Sequence, residues 1–204
     1  MLDIFVRIFD VIFPPHKSVR ALQKENPEKF KRFYLPQKLS FGTSLSDYSE
    51  TKVRMAVTAN KFYNHQKASR LLASLVEEWL NKQTDENYIF VPIPLAKERQ
   101  KERGYNQCTR IVENIKQDNL TIKNLLIRTK ETTPQTKLDR SLRFQNVADA
   151  FTYEPPANTT DLTNPHIILI DDVLTTGATM KAAHTTLKQN LPKNTKITCL
   201  ALAH

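Results

Sequence analysis

Glycine is scarce in this chain, three in 204 residues, where about 7% usage would give roughly 14. Three separated glycines exclude a GxGxxG dinucleotide fingerprint, and no GxxxxGK[ST] phosphate loop occurs. A chain this poor in glycine is expected to keep the ones it has where the backbone needs their freedom. Gly104 and Gly177 fall inside the two segments richest in chemistry. Cysteine is equally thin: Cys108 and Cys199 cannot build a disulfide framework or a cysteine-rich zinc site. No run approaches the roughly 20 uninterrupted apolar residues of a membrane-spanning helix. Hydrophobic residues at 40% and charged residues at 25% exclude wholesale disorder. The length admits one full-sized domain with a small attachment.

The opening stretch MLDIFVRIFDVIFPP is hydrophobic but makes a poor signal peptide, with no basic start and no small-residue cleavage site. Asp3, Arg7 and Asp10 share one helical face, so a helix burying most of its circumference and stopped by Pro14-Pro15 is expected. Without an export signal the Asn-x-Thr triplets at Asn119 and Asn158 carry no weight, and a cytoplasmic protein with no membrane partner is expected. The net charge of +9 is unevenly placed: +6 falls in residues 97–143 and −1 in residues 144–204. The middle of the chain should therefore favour a polyanion, either a phosphorylated small molecule or nucleic acid.

A polar connector is expected from Pro27 to Pro36, then loop or short strands over 37–50. HQKASRLLASLVEEWLNKQ (65–83) reads as an amphipathic helix, with Leu71, Leu72, Leu75, Val76, Trp79 and Leu80 on one face and Glu77 and Glu78 opposite. YIFV (88–91) reads as a strand ending near Pro92, followed by a charged loop that passes into a helix with Ile111, Val112 and Ile115 inward. LLIR (125–128) reads as a short strand and 152–166 as loop. HIILI (166–170) has the pattern of a strand buried on both faces of a parallel sheet. A helix from about Thr176 to Gln189 and a strand over 196–203 complete an α/β chain with a largely parallel sheet flanked by helices.

IILIDDVLTTGATMKAA carries most of the functional information. A buried strand delivers Asp171 and Asp172 near the carboxyl end, where open parallel sheets bind ligands. Two adjacent carboxylates can accept from neighbouring hydroxyls such as a ribose diol, and like charges this close need offsetting donors or a cation. Thr175, Thr176, Gly177, Ala178 and Thr179 follow at a helix start, where backbone N–H groups and hydroxyls suit a phosphate. Lys97, Arg99, Lys101 and Arg103 follow another strand end and can meet a pyrophosphate with charge-assisted hydrogen bonds, Gly104 permitting close backbone approach. Arg128, Lys130, Arg140 and Arg143 bracket a polar segment of lid-like length.

Every position from Ile167 to Thr179 resembles the phosphoribosyl pyrophosphate (PRPP) motif of type I phosphoribosyltransferases. VPIPLAKERQKERGYNQ (91–107) and RTKETTPQTKLDRSLRFQNVADAF (128–151) look like the ComF family of competence-associated, phosphoribosyltransferase-like proteins, on Arg103, Gly104, Asn106 and Gln107, on Arg128, Thr132 and Gln135, and on Arg143, Asn146, Ala150 and Phe151. The likeness covers roughly residues 50–204. It implies a type I phosphoribosyltransferase-like domain over 51–204, with a small, mainly helical extension over 1–50. That extension departs from the family, because no cysteine precedes Cys108 to form its usual zinc module; no protein-held metal site is expected. The resemblance places Asp171 and Asp172 on the ribose and Thr175 to Thr179 on the 5-phosphate, with Mg²⁺ carried in by the pyrophosphate. It implies transfer of phosphoribosyl groups, with Asp171, Asp172 and Arg103 as the candidate catalytic set. The alternative is a non-catalytic module that binds single-stranded DNA or a DNA-uptake helicase, with Tyr105 and Phe144 as stacking rings. Acceptor and oligomeric state are not legible from these residues.

Overall fold

The computed structural model describes residues 15–84, 87–117, 120–129, 150–156 and 165–204. The expected opening helix, the lid-like segment with Lys130, Thr132, Gln135, Arg140, Arg143, Phe144 and Asn146, and the triplets at Asn119 and Asn158 lie outside them. Among the described residues no helix is long and apolar enough to cross a membrane.

Six strands form one sheet: β1 (Gln37–Leu39), β2 (Gly42–Ser44), β3 (Tyr88–Pro92), β4 (Leu120–Ile122), β7 (His166–Val173) and β8 (Lys196–Ala203), in the order β1-β2-β8-β7-β3-β4. Only β1–β2 is antiparallel; the other pairings are parallel, so the largely parallel α/β architecture is as expected. Central β7 is apolar on both faces because both are covered. Ile168 and Ile170 join the core under α1 (Pro15–Gln23), α3 (Thr51–Tyr63), α4 (Gln66–Leu80) and α6 (Gln107–Val112). Ile167 and Leu169 join the core under α7 (Ala178–Asn190).

Several boundaries move. β7 does not stop at Ile170 but runs through Val173, so both acids lie within the strand. Helix α7 begins at Ala178, after Gly177 in the left-handed conformation. The charged loop after β3 is a helix, α5 (Lys97–Arg103). LLIR is not part of the main sheet. Leu126–Arg128 (β5) pairs instead with Phe151–Tyr153 (β6), at the edge of the expected 152–166 loop, in a separate antiparallel ribbon. Pro15 opens a helix, and the Pro27–Pro36 connector holds a short helix α2 (Pro27–Phe30), capped by Asn26 Oδ1 accepting from Lys29 N–H at 2.8 Å. Glu77 is not solvated: it takes both Arg70 guanidinium nitrogens at 2.7 and 3.1 Å and the Lys116 N–H at 2.7 Å. The described part of the 1–50 extension shares core and sheet with the rest, through Leu22, Phe30 and Leu45 and through β2 against β8.

Candidate functional site

The site sits at the carboxyl end of β7. Asp172 has the parity of Ile168 and Ile170, so it faces α3, and its Oδ2 lies 3.9 Å from Lys61 Nζ. Its Oδ1 accepts the Val173 N–H at 2.9 Å, while the buried Oδ2 has no hydrogen-bond partner. Asp171 Oδ1 accepts the Asp172 N–H at 2.9 Å and faces the Cys108 thiol, Sγ at 3.9 Å. Burial and the neighbouring Asp172 carboxylate push the Asp171 carboxyl up to about 8. Burial first, then the two aspartates, push the Cys108 thiol well above its usual range, so it stays protonated.

Two arginines act on the pair. Burial lowers the Arg103 pKa and the facing Asp172 raises it. Its Nη1 donates to Gln107 Oε1 at 2.8 Å, and its guanidinium lies 5.1 Å from the centre of the Phe62 ring. Arg128 is drawn down by burial and by Arg99 and drawn up by Asp171, which places Arg128 on the Asp171 side; Arg99 acts on both Arg103 and Arg128. The structure thus gathers Asp171, Asp172, Arg103 and Arg128, with Arg99 beside the two arginines. It adds two residues no motif flagged, Lys61 and Cys108. Lys61 sits in a helix buried at residue after residue, including Thr58 and Asn60; such a helix shows no amphipathic stripe.

The turn after β7 places Thr175 to Thr179 next to the acids. Thr176 Oγ1 accepts the Ala178 N–H at 3.4 Å, and Gly177 holds φ 75°, with the Phe41 Cβ 3.1 Å from where its own Cβ would lie. Gly104 has a different reason to be glycine. It caps α5 at φ 72° with nothing within 4 Å of a would-be Cβ, so the backbone conformation, not a close approach, requires it.

The rest of RGYNQ is a brace. Asn106 Oδ1 caps α6 by accepting from Cys108 and Thr109 N–H groups, and its Nδ2 donates to the Ile93 carbonyl. The Tyr105 hydroxyl lies 2.9 and 2.8 Å from the Asn60 and Lys61 carbonyls and accepts from Asn64 N–H. That engagement ties Tyr105 to the end of α3 rather than leaving it as a free stacking ring. Lys97 is exposed on α5 and is not gathered at the acids. Together with Lys101, Arg110 and Arg128 it lines an open groove of about 630 Å³ beside Tyr105 and Asn106, with Glu113 its one acidic wall residue. Among the described residues no cluster of three or more His, Cys, Asp or Glu is placed to hold a metal ion.

A mostly parallel sheet with an acid pair and a hydroxylated turn at the carboxyl end of its central strand defines an α/β protein with a candidate ligand site at that end of the sheet. The sequence comparisons narrow this. The chain is 31% identical to competence protein F of Haemophilus influenzae over 126 residues, 59% of this chain and 53% of that protein. It is 33% identical to competence protein ComFC of Bacillus subtilis over 99 residues, 48% of this chain and 38% of that one. The chain is thus similar to two competence proteins and spans about half the length, or less, of these curated relatives. No protein-family model matches it. Among solved structures it is loosely similar to orotate phosphoribosyltransferase of Mycobacterium tuberculosis in complex with Fe(III) dicitrate, with 12% identity, a TM-score of 0.37, and 91% of this chain and 95% of that one covered.

Proposed function

We propose that this protein binds PRPP at the carboxyl end of β7 and transfers or recognises its 5-phosphoribosyl group. The observation that carries this reading is the Asp172 carboxylate, whose buried Oδ2 has no hydrogen-bond partner beside a hydroxylated turn at a helix start. An unpartnered buried oxygen is costly, and a ribose hydroxyl donating to it removes that cost. The 5-phosphate then falls to Thr175–Thr179, where the first N–H groups of α7 and the Thr hydroxyls are donors. Arg99, Arg103 and Arg128 supply positive charge on the pyrophosphate side. If C1–O cleavage occurs, these cations stabilise the negative charge gathering on the departing pyrophosphate, while the carboxylates steady the positive ribose.

The acids are balanced by Lys61 and form no cage of three metal-ligating side chains with other described residues. In this reading Mg²⁺ would arrive with the pyrophosphate and offset its charge. Calorimetry with PRPP and Mg²⁺ tests the reading: saturable binding that Asp172→Asn weakens supports it, and absence of heat at millimolar PRPP removes it.

A second reading has its own observation. The groove lined by Lys97, Lys101, Arg110 and Arg128 suits a phosphodiester backbone. The relatives carry competence in their names, so a cytoplasmic role in DNA uptake, with single-stranded DNA or a helicase as partner, is the corresponding proposal. Filter binding to oligothymidylate across a salt series tests it, and an affinity that does not change with salt contradicts it.

A further inference from the structure

We propose that Lys61 is the positioning residue of the acid pair, the cation that holds Asp172 as its charged, hydroxyl-accepting member. This rests on the diol reading above, but its own geometry is independent of any ligand. Lys61 and Asp172 are both largely withdrawn from solvent, their side chains 13% and 8% exposed. Their 3.9 Å separation exceeds the roughly 2.7–2.9 Å of a charge-assisted hydrogen bond. Lys61 therefore supplies charge without occupying the lone pairs of Oδ2, which stay open for a donor. A hydrogen-bonded ion pair would have closed the site.

The placement of Lys61 is fixed by its surroundings. It lies in the last turn of α3, where a cation is favoured by the helix dipole. The helix ends at Asn64 in the left-handed conformation, and the Tyr105 hydroxyl sits against the Asn60 and Lys61 carbonyls. Asn60 in turn donates to the Gln107 carbonyl at 3.0 Å and accepts from the Ser69 hydroxyl at 2.7 Å. The RGYNQ brace thus sets the α3 terminus, and through it the Lys61 ammonium. The other charged or titratable groups facing the pair are Arg103, Tyr48 and Cys108 on the Asp172 side and Arg128 and Cys108 on the Asp171 side. Arg103, which also acts on Asp172, is already committed to Gln107, which leaves Lys61 as the cation whose removal should be felt most directly by Asp172. With Asp172 charged, the half-buried Asp171 beside it is the member that keeps a proton, so the pair offers an acceptor and a donor to adjacent hydroxyls.

The test uses the full chain as wild type, Lys61→Met and Lys61→Arg, each scored only where its amide spectrum shows the native fold. Carbon-13 NMR of the aspartate carboxyls in the ligand-free protein follows the pair through pH. Removing the charge should raise the lower of the pair's two midpoints by about one pH unit or more, and Lys61→Arg should bring it back. Calorimetry with PRPP–Mg²⁺ should show Lys61→Met losing at least about tenfold in affinity, and Lys61→Arg recovering most of that loss. A lower midpoint unmoved in Lys61→Met, or an affinity that Lys61→Met leaves unchanged, overturns the proposal. Should wild type bind no PRPP, the diol reading falls, and the ligand-free titration alone still decides whether Lys61 governs Asp172.

Discussion

Two charged regions lie at the same end of this molecule and are built by opposite means. The acid site at the end of β7 holds its charges on a central strand and two covering helices, withdrawn from water, each carboxylate taking the next residue's N–H. The basic groove holds its charges on α5, seven residues long with none of them buried, on the exposed Arg110 of α6, and on half-buried Arg128. Charge on an exposed short helix is cheap to keep and easily screened. Charge inside the fold is retained only with partners. The first region therefore suits one small ligand in one pose, and the second suits a polyanion without a fixed register.

The largest expected effect breaks the comparison on the acid side. Asp172→Asn removes the charged acceptor, and a hydrogen bond to a charged group contributes about 1.5–3 kcal/mol, so PRPP affinity should fall by about tenfold to a hundredfold in calorimetry. Binding of single-stranded DNA, measured by anisotropy, should not weaken. A loss of both would mean that the two regions are one site.

The glycines sharpen the same contrast. Gly177 and Gly104 have nearly the same φ, 75° and 72°, but only Gly177 has a neighbour in the way, the Phe41 Cβ at 3.1 Å. Gly104→Ala should cost about 1 kcal/mol in urea unfolding, for left-handed strain alone. Gly177→Ala should cost more, and should also weaken PRPP by several-fold because the phosphate turn shifts. Equal costs would show that Phe41 yields freely.

The pH dependence follows from Asp171, whose folded-state pKa lies near 8, above its value in the unfolded chain. The folded protein then holds the extra proton, so stability is greatest below the unfolded carboxylate pKa and is lost as pH rises toward 8. Asp171→Asn should flatten that decline, its melting temperature gaining on wild type between pH 5 and pH 8. Parallel curves for the two proteins across that range would contradict the assignment.

The smallest effect on PRPP is expected from the groove. Lys97→Ala with Lys101→Ala should leave PRPP affinity within about twofold while lowering the salt slope of single-stranded DNA binding by about 1.4, roughly 0.7 for each phosphate that is no longer neutralised.

The fold was legible where burial was one-sided or complete over a short run. The stripe from Leu71 to Leu80 and the run HIILI announce α4 and the core of β7 through period and apolarity. Helix α3 was not announced, because Val53 through Asn60 are buried nearly without interruption except Arg54, and a helix wrapped on most sides has no stripe to read. Lys61 was hidden for that reason: its meaning comes from its approach to Asp172, 111 residues further along the chain. Leu126–Arg128 reads locally as a strand, yet nothing local says that it pairs with Phe151–Tyr153 outside the main sheet. The acid pair and the Thr-Gly turn were legible because their chemistry is contiguous in sequence. Arg99 and Arg128 were visible as charges, and only the folded chain brings Arg128 to Asp171 and Arg99 to Arg128.

The most direct measurement is a crystal structure with PRPP and Mg²⁺ soaked in. The account predicts both ribose hydroxyls within hydrogen-bond distance of Asp171 and Asp172, and the 5-phosphate against the N–H groups and hydroxyls of Thr175–Thr179. A sugar seated elsewhere, or ribose hydroxyls out of hydrogen-bond reach of both carboxyls with the ligand bound, would contradict it.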